Sequence, residues 1–533
     1  MNVAEYIVNI LKSRGIDTVF GYQGGNITYL IDAISCEDNI NYVQTYHEQG
    51  AAFAANAYAQ VSQKFGVALS SSGPGAINLM NGIANAYYDS IPCLFITGNI
   101  NTASMRESDQ IRQNGFQEAD IVGMVRGITK HAETVYQPEK LPQILEHALW
   151  IMQEGRPGPV LLDIPHNIQR AELRGPITPQ ETLEEEPTKI CDVVLETVYG
   201  KLKQARRPVL LLGNGSRREK VLIKTFLSRF PMPTVVSLCG KDAVPNDHFC
   251  YRGMIGSYAI PSSNLVLNNA DFVLVLGSRM DERQRTVGIK DFLKGAEVVH
   301  VDIDKNELRH VKNDEFCINV TVKQFLKEFL DYNFEDIEDL HQMWIRTTDE
   351  WMKEPVPEEA WIYGSGLRMH LTEIFGEIVT DSVVCVDVGN HQMATAQILN
   401  IGEGSVYLNS SGLGCMGYAL PAAIGAYYAN PQKQIVLIAG DGGFMMNLQE
   451  LQLIKREKIP IIIIVVNDKS LGMIENYQKL VFDARLYGSR WGYEAANFCK
   501  IAEAFELDYW NLCGGKGSSI LENSNQLLIE IEV

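Results

Sequence analysis

The chain has 533 residues, of which 46% are hydrophobic and 21% charged, and its formal net charge at pH 7 is −19. This length and composition predict a globular protein of three domains of ordinary size. The negative charge, the lack of a basic run and the lack of an apolar stretch of membrane-spanning length argue against nucleic acid and membranes as partners.

The first predicted domain covers residues 1–175 and alternates helices with short apolar strands. It opens with an amphipathic helix that contains an acid, which is unlike a signal peptide. The strands are predicted from short apolar runs at 19–21, 41–45, 67–69 and 93–97. Several motifs follow these strands: Gly24-Gly25, Glu48, Ser72-Gly73-Pro74-Gly75 with Asn78, and Phe116-Gln117-Glu118. On the residues alone, each is explained as a turn or as the polar first turn of a helix.

The second predicted domain covers residues 190–335 and follows a polar, acidic and proline-bearing linker at 176–187. Its strands are predicted at 208–212, 272–276 and 298–303. Its glycine and charged motifs are Gly213-Asn214-Gly215, Gly253 to Gly256, Ser278 to Arg283, and Asp302-Ile303-Asp304. The first of these is too weak to indicate a dinucleotide site, because the third glycine of GxGxxG is missing. A surface helix and a linker are predicted at 335–359.

The third predicted domain covers residues 360–533 and holds the most informative motif. A buried strand, a helix and a second strand are predicted at 434–439, 447–457 and 461–466. A right-handed crossover makes the two strands parallel, so Asp441 and Asp468 can reach one point at their carboxyl edge. Gly442 and Gly443 allow an anion to approach, and two carboxylates beside a phosphate suit Mg²⁺. A lone Gly-Asp-Gly would be a turn with an N-cap, but the second acid favours a metal and diphosphate site.

The motif Gly440-Asp441-Gly442, followed by Asn467-Asp468, resembles the thiamine diphosphate (ThDP) signature. Motifs in all three predicted domains extend this resemblance to the acetolactate synthase large (catalytic) subunit family. The resemblance implies an α/β fold of three doubly wound parallel-sheet domains, which are pyrimidine-binding, central and diphosphate-binding. It also implies that Asp441, Asp468 and the main-chain oxygen of Ser470 bind Mg²⁺. Asp468 stands where the family usually has Asn, but it still offers an oxygen to the metal.

The resemblance assigns Glu48 to the pyrimidine nitrogen N1′ of ThDP, where a proton favours the imino tautomer that deprotonates the thiazolium C2. Without the metal motif, Glu48 would be only an acid that favours the helix dipole. The resemblance also places Gly25, Phe116 and Gln117 at the reaction centre. Gly73 and Asn78 are implied to line the cofactor pocket.

Further cofactor residues are implied in the third domain. Asn390 and His391 lie in a loop that resembles GQHQM, whose amide and imidazole bind the diphosphate, although Asn390 is shorter than the usual Gln. In a segment that matches GLGAMG, Gly414 offers its carbonyl to the 4′-amino group and Met416 supports the bent cofactor. Leu471-Gly472-Met473 also matches the family, and it adds Met473 to the implied cofactor residues, with Gly440, Gly442 and Gly443 from the first motif.

The central domain resembles the FAD-binding segments of acetolactate synthases at Gly213, Gly256, Arg279 and Asp302. In that family the flavin does no net redox work. The alternative is a degenerate domain that has lost its cofactor. We favour FAD.

Departures from the family concentrate on the residues implied to face the acceptor. His166 stands where Lys is usual, Tyr477 stands where a Trp is expected, and residues 100–115 form a longer, differently charged segment. Arg283 is retained at the position implied to meet the acceptor carboxylate. This pattern resembles homologues that pass a two-carbon unit from pyruvate to a nucleotide-linked keto-sugar.

The sequence therefore predicts a ThDP- and Mg²⁺-dependent lyase or transferase that decarboxylates a 2-keto acid, pyruvate by preference, and transfers the two-carbon unit to a carbonyl acceptor. The acceptor is a second 2-keto acid or a nucleotide-linked 4-keto-sugar for surface polysaccharide. A non-ligating decarboxylase, a flavin oxidase and an idle homologue that serves as a binding or regulatory subunit are the alternatives, and the filled catalytic positions argue against the idle homologue. Because the family binds its cofactor between subunits, a homodimer or homotetramer is expected. Ten cysteines without CxxC or zinc spacing favour reduced thiols and a cytoplasmic location.

Overall fold

A computed structural model of the chain describes residues 1–108, 110–173, 189–285, 291–308, 316–337, 340–512 and 525–533. The chain divides into two compact units. The first unit consists of Met1–Glu184, Val383–Gly389 and Leu408–Glu532, and the second of Glu185–Ser382, Asn390–Tyr407 and Val533. None of the helices in the described ranges is long and apolar enough to cross a membrane. The predicted linker at 176–187 lies outside the described residues.

The first sheet has six strands in the order β2-β1-β3-β4-β6-β5, and all of its neighbouring strands are parallel. The strands are β1 Thr18–Gly21, β2 Asn41–Gln44, β3 Gly66–Ser70, β4 Cys93–Asn99, β5 His131–Thr134 and β6 Val160–Pro165. The helices are α1 Val3–Ser13, α2 Thr28–Ser35, α3 Glu48–Ser62, α4 Pro74–Asn78, α5 Met80–Tyr88, α6 Ile121–Val125, α7 Leu141–Gln153 and α8 His166–Gln169. The predicted N-terminal helix is confirmed as α1, which begins with a capping box between Asn2 and Glu5.

The second sheet has the order β12-β11-β10-β7-β8-β9 and is also parallel. Its strands are β7 Pro208–Leu212, β8 Thr234–Val236, β9 Tyr251–Met254, β10 Phe272–Leu276, β11 Glu297–Val301 and β12 Phe316–Ile318. The helices of the second unit are α9 Asp192–Gln204, α10 Lys220–Arg229, α11 Pro261–Asn268, α12 Val322–Asp331, α13 Gln342–Lys353, α14 Gly364–Phe375 and α15 Asn390–Ile398. The predicted surface helix at 335–359 corresponds to α13, which buries Trp344 and Ile345.

The third sheet has the order β14-β13-β15-β16-β18-β17. Its strands are β13 Ser382–Val386, β14 Val406–Asn409, β15 Gln434–Gly440, β16 Ile461–Asn467, β17 Asp508–Asn511 and β18 Gln526–Glu532. The remaining helices are α16 Ala419–Ala429, α17 Asp441–Phe444, α18 Leu451–Glu457, α19 Gly472–Val481 and α20 Phe498–Ala504. Short 3₁₀ helices lie at Gly25–Ile27, Thr102–Ser104, Arg126–Ile128, Pro138–Lys140, Asn214–Glu219, Leu238–Gly240, Glu358–Ala360 and Met445–Glu450.

The three parallel sheets confirm the predicted α/β fold. Their central strands are almost wholly buried, as in β3, β7, β10 and β16. Such strands read as continuous apolar runs because helices cover both faces of the sheet. Each sheet falls within one of the predicted domain ranges, whose boundaries remain a prediction.

One predicted helix begins later than expected. The sequence predicts a helix from residue 447, but regular α-helix begins at Leu451, after the 3₁₀ segment Met445–Glu450. Asn447 has non-helical dihedral angles, with φ −127° and ψ 29°. Its side chain donates a 2.6 Å hydrogen bond to the carbonyl of Gly417, so a tertiary contact overrides the local helical pattern here.

Candidate active site

Two acids lie side by side where two neighbouring strands of the third sheet end. Gly440 of β15 is in register with Val466 of β16, so Asp441 and Asp468 follow at the same edge. Asp441 is only 3% exposed, the Tyr493 hydroxyl neighbours its carboxylate, and its Oδ2 is buried with no hydrogen-bond partner among the described residues. Burial and the neighbouring Asp468 carboxylate raise the pKa of Asp441 to about 6. A buried carboxylate oxygen without a partner beside a second acid fits a bound cation, which would favour the ionised form.

The loop after β16 holds the second acid in place. The Oδ1 atom of Asp468 accepts hydrogen bonds from the backbone N–H and the hydroxyl of Ser470, at 3.1 Å and 3.3 Å. Among the described residues there is no cluster of three or more His, Cys, Asp or Glu side chains that could hold a metal. Two carboxylates and a main-chain oxygen are an incomplete donor set for Mg²⁺. They suit a metal whose remaining ligands are phosphate oxygens and water.

Asp387 is a site residue that the sequence reasoning missed. It is buried at the end of β13, and its carboxylate accepts hydrogen bonds from the backbone N–H groups of Val388, Gly417 and Ala419, at 2.8, 3.0 and 3.0 Å. A Cβ added at Gly443 would lie 2.9 Å from its Oδ1. Asp387 therefore joins three segments of the candidate site. Burial raises the pKa of Asp387 to about 6, although the three N–H donors favour the charged form.

The segment that carries Gly414 and Met416 packs against the sheet edge that carries Asp441 and Asp468. Gly414 packs on the side chain of Val388, and the Met416 Cε lies near Gly442, 3.7 Å from where a Cβ would stand. The structure thus brings Gly414, Met416, Gly442 and Asp441 together in the first unit. The predicted contacts of Gly414 and Met416 with the pyrimidine stay predictions.

Glu48 is the first residue of α3 and meets a second group of predicted site residues. Its Oε2 accepts a 3.0 Å hydrogen bond from the side-chain amide of Asn78, at the end of α4. Gly75 packs on the same carboxylate, since a Cβ there would lie 2.8 Å from Oε1. The carboxylate is half-buried, so it is both positioned and accessible. A glycine at position 75 is needed for this close approach.

Other predicted residues of the first domain surround this group. Gly24 packs on Ser71, and Asn26 donates a 2.5 Å hydrogen bond to the Ser72 hydroxyl, so the loop that contains Gly25 adjoins the Ser72-Gly73 turn. Gln117 packs on Gly73.

The alternative that residues 116–118 begin a helix is wrong. Gln117 adopts a left-handed turn with φ 65°, Phe116 is 86% exposed, and the next helix, α6, begins at Ile121. The N–H of Glu118 donates a 3.2 Å hydrogen bond to the Gly115 carbonyl, which closes the turn, and Gln117 packs on Gly73.

Asn390 and His391 are buried in the first turn of α15 and belong to the second unit. The sequence predicts a loop here, whereas the structure shows the start of a helix. Their predicted binding of the diphosphate stays a prediction. Met473 lies half-buried in the first turn of α19, just after the loop that contains Asp468 and Ser470.

The central domain brings some of its predicted flavin residues together. Gly213 and Gly215 pack closely on Gly277 and Ser278, at the ends of the adjacent strands β7 and β10. Gly256, with φ 118°, packs on the backbone of Arg283, and the side chain of Asn264 bonds both its N–H and its carbonyl at 2.9 Å. Arg279 lies 3.5 Å from the carboxylate of Asp281.

Asp302, at the end of β11, accepts a 2.9 Å hydrogen bond from the N–H of Asp304. It thereby caps its own turn. The strand ends of the second sheet therefore carry tight glycine contacts, and their use for FAD stays a prediction.

The three predicted acceptor residues belong to three different segments of the chain. His166 begins α8, and its Nδ1 is buried with no hydrogen-bond partner among the described residues. Tyr477 lies on α19 with 56% of its surface exposed, and its ring packs on Phe482 at 5.8 Å between centroids. Arg283 belongs to the second unit and is exposed.

Glu450 is the second functional candidate that sequence reasoning missed. It is fully buried just before α18, and both of its carboxylate oxygens lie 3.1 Å from the backbone N of Tyr46, two residues before Glu48. No local signal in the sequence marks it. For Asp387, an acid directly after an apolar strand was an available signal.

Comparison with known families agrees with this geometry. The family described as "Thiamine pyrophosphate enzyme, N-terminal TPP binding domain" matches residues 1–124, where thiamine pyrophosphate is another name for ThDP. The central domain of the same enzymes matches residues 195–329, and their C-terminal TPP binding domain matches residues 387–516.

The chain is also similar to curated proteins along nearly its whole length. It is 35% identical to the acetolactate synthase isozyme 2 large subunit of Escherichia coli over 513 residues, which covers 95% of this chain and 90% of that protein. It is 33% identical to the acetolactate synthase large subunit of Lactococcus lactis over 540 residues, covering 99% and 92%. A probable acetolactate synthase large subunit of Methanococcus aeolicus is 33% identical over 531 residues, covering 95% and 87%. The chain therefore belongs to the thiamine-diphosphate-dependent enzymes of the acetolactate synthase large-subunit family.

Proposed function

We propose that this protein is a Mg²⁺-dependent carboligase that decarboxylates a 2-keto acid, pyruvate by preference, and transfers the remaining two-carbon unit to a carbonyl acceptor. The observation that carries the proposal is the Glu48 carboxylate, which begins α3 and is held by Asn78 against Gly75. When bound, ThDP supplies the electron sink that accepts the electrons of the carbon–carbon bond as CO₂ leaves.

The chain's own residues would position this cofactor and move one proton. Asp441, Asp468 and the main-chain oxygen of Ser470 would hold Mg²⁺, and Gly442 and Gly443 would let the backbone approach the diphosphate. The hydrogen bond from Asn78 directs the Glu48 carboxyl, which would exchange a proton with the pyrimidine nitrogen N1′. Gly25, Phe116 and Gln117 would border the reacting carbon.

The names of the relatives support a second 2-keto acid as acceptor. Two features of this chain favour a nucleotide-linked 4-keto-sugar as the second candidate. His166 stands where Lys, a permanent cation, is usual, and Tyr477, which exposes 56% of its surface on α19, stands where a larger Trp is expected. Both changes weaken selection for a small carboxylate. Arg283 fits either acceptor, because a guanidinium pairs with carboxylate or phosphate.

Product analysis tests the proposal. The purified protein, loaded with ThDP and Mg²⁺, would be incubated with pyruvate alone and with pyruvate plus nucleotide-linked 4-keto-sugars, and the products identified by mass spectrometry. Carbon–carbon bond formation that disappears in Glu48→Gln is the expected result. Release of acetaldehyde without ligation under every condition would contradict it.

We also propose that FAD binds the central domain near Gly213, Gly256, Arg279 and Asp302 and takes no part in net redox chemistry. Its absorption band should stay oxidised when pyruvate is added without oxygen, and bleaching would favour the oxidase alternative. A homodimer or homotetramer, as in the family arrangement, and a cytoplasmic location complete the proposal. Light scattering of the cofactor-loaded protein tests the assembly.

A further inference from the structure

Glu450 is a fully buried acid that the proposed chemistry does not use. It is the last residue of the 3₁₀ segment Met445–Glu450, which follows Asp441 in the chain and precedes α18. Both carboxylate oxygens lie 3.1 Å from the backbone N of Tyr46, which is 404 positions earlier in the chain, and the N–H of His47 also donates to this carboxylate. No Lys, Arg or His forms an ion pair with it within the described part of the chain. Its partners are the backbone N–H groups of the two residues before α3 and the side chain of Gln449, and the Arg456 cation lies near enough to favour its charged form.

The packing around this carboxylate is too tight for it to move freely. A Cβ added at Gly50, in the first turn of α3, would lie 2.5 Å from Oε1 and 2.9 Å from Cδ of Glu450. Side chains cannot approach so closely, so the glycine lets the carboxylate sit directly under the helix start. Arg456 adds a second connection, because it donates a 2.9 Å hydrogen bond to the Gln44 carbonyl and lies 5.7 Å from the Tyr46 ring centroid.

These contacts bear directly on Glu48. The bonded N–H groups belong to the two residues immediately before it, and Gly50 is two residues after it. The backbone on both sides of Glu48 is thus held against one buried carboxylate. Its side chain then meets Asn78 and Gly75 as a consequence of where this backbone lies.

We propose that Glu450 is a positioning residue that fixes the backbone around Glu48 and so aims the Glu48 carboxyl at the cofactor. The inference rests on the proposed function, in which Glu48 exchanges a proton with the pyrimidine. A misplacement of about 1 Å in a reacting group can lower a rate about 100-fold. A merely structural role would instead lower stability and leave the proton transfer of the folded protein unchanged.

The test uses Glu450→Ala and Glu450→Gln in the full-length protein loaded with ThDP and Mg²⁺. Two quantities are measured: the Kd for ThDP, and the rate of hydrogen–deuterium exchange at the thiazolium C2 by NMR after acid quench. Glu450→Ala should slow the exchange about 100-fold while the Kd for ThDP changes much less. Glu450→Gln should recover part of the rate, because one acceptor oxygen remains in the same place.

Glu146→Gln serves as the matched control. Glu146 is another buried acid of the first unit, 7% exposed, but it lies on α7 and its carboxylate pairs with Arg14, which follows α1. Its removal should leave the exchange rate unchanged. Circular dichroism and urea unfolding of every variant identify those that fold.

The outcomes separate this inference from the proposed function. If Glu48→Gln slows C2 exchange but folded Glu450→Ala and Glu450→Gln exchange like wild type, the inference is overturned and the proposed function stands. If Glu48→Gln itself exchanges like wild type, the proposed function fails. Should Glu450→Ala not fold, the folded Glu450→Gln variant decides: slowed exchange supports the positioning role, and wild-type exchange overturns it.

Discussion

Replacement of Asp387 is expected to loosen the segment that carries Gly414 and Met416. The Asp387 carboxylate accepts hydrogen bonds from the backbone N–H groups of Val388, Gly417 and Ala419, and all three donors depend on it. Asp387→Ala leaves them without this acceptor. Asp387→Asn keeps one acceptor oxygen, but its side-chain NH₂ group then faces one or more of the backbone N–H donors.

The magnitudes follow from these bonds and from the buried charge. A buried donor that loses its acceptor costs about 1–3 kcal/mol, so three cost about 6 kcal/mol at the middle of that range. Burial raises the pKa of Asp387 from 3.8 to about 6. A shift of this size means that the folded state favours the protonated carboxyl over the carboxylate by about 3 kcal/mol. The protonated carboxyl therefore stabilises the wild type by about 3 kcal/mol below pH 3.8, and this contribution is lost as the pH rises through about 6. At neutral pH, Asp387→Ala therefore loses about 3 kcal/mol net.

Asp387→Asn separates the charge from the hydrogen bonds. Asn does not titrate, so its stability relative to wild type should rise by about 1.4 kcal/mol between pH 5 and pH 7 in urea unfolding. Hydrogen exchange measured by mass spectrometry should show faster exchange of Gly417 and Ala419 in both variants. ThDP affinity should fall about tenfold in Asp387→Ala, which corresponds to about 1.4 kcal/mol of lost preorganisation. A stability difference independent of pH, with unchanged exchange at Gly417 and Ala419, would refute this reasoning.

Three further predictions concern the proposed site. Asp441→Ala should abolish Mg²⁺-dependent ThDP binding in fluorescence titrations, whereas Asp468→Asn should retain it because an amide oxygen still coordinates the metal; equal loss in both would contradict the assignment. Asn78→Ala removes the hydrogen bond that directs the Glu48 carboxyl, so steady-state kinetics should show a kcat at least about tenfold lower with a smaller change in KM, and an unchanged kcat would argue against a role in proton transfer. His166→Lys combined with Tyr477→Trp should raise kcat/KM for acetolactate formation from pyruvate, and no gain would remove these two residues from the account of acceptor choice.

The sequence by itself determined the fold class and the shared sheet edge of Asp441 and Asp468. Long β-branched runs such as residues 461–466 are typical of a strand that is buried on both faces, and β16 confirms this prediction. Once two such strands are parallel neighbours, the residues that follow them must share an edge. The proximity of Asp441 and Asp468 was therefore predictable from spacing alone, and the register of Gly440 with Val466 agrees with it.

Only the tertiary structure revealed the groups to which Asp387 and Glu450 bind. Their partners are backbone N–H groups, which every residue except proline carries, so no side-chain pattern indicates where such a bond will form. The partner of Glu450 is 404 positions away in the chain. The helix start at Leu451 has the same origin, since the hydrogen bond from Asn447 to the distant Gly417 overrides the local preference. Local sequence predicts helices and strands from the spacing of apolar residues, whereas the orientation of a catalytic side chain depends on contacts that exist only after the domains have folded.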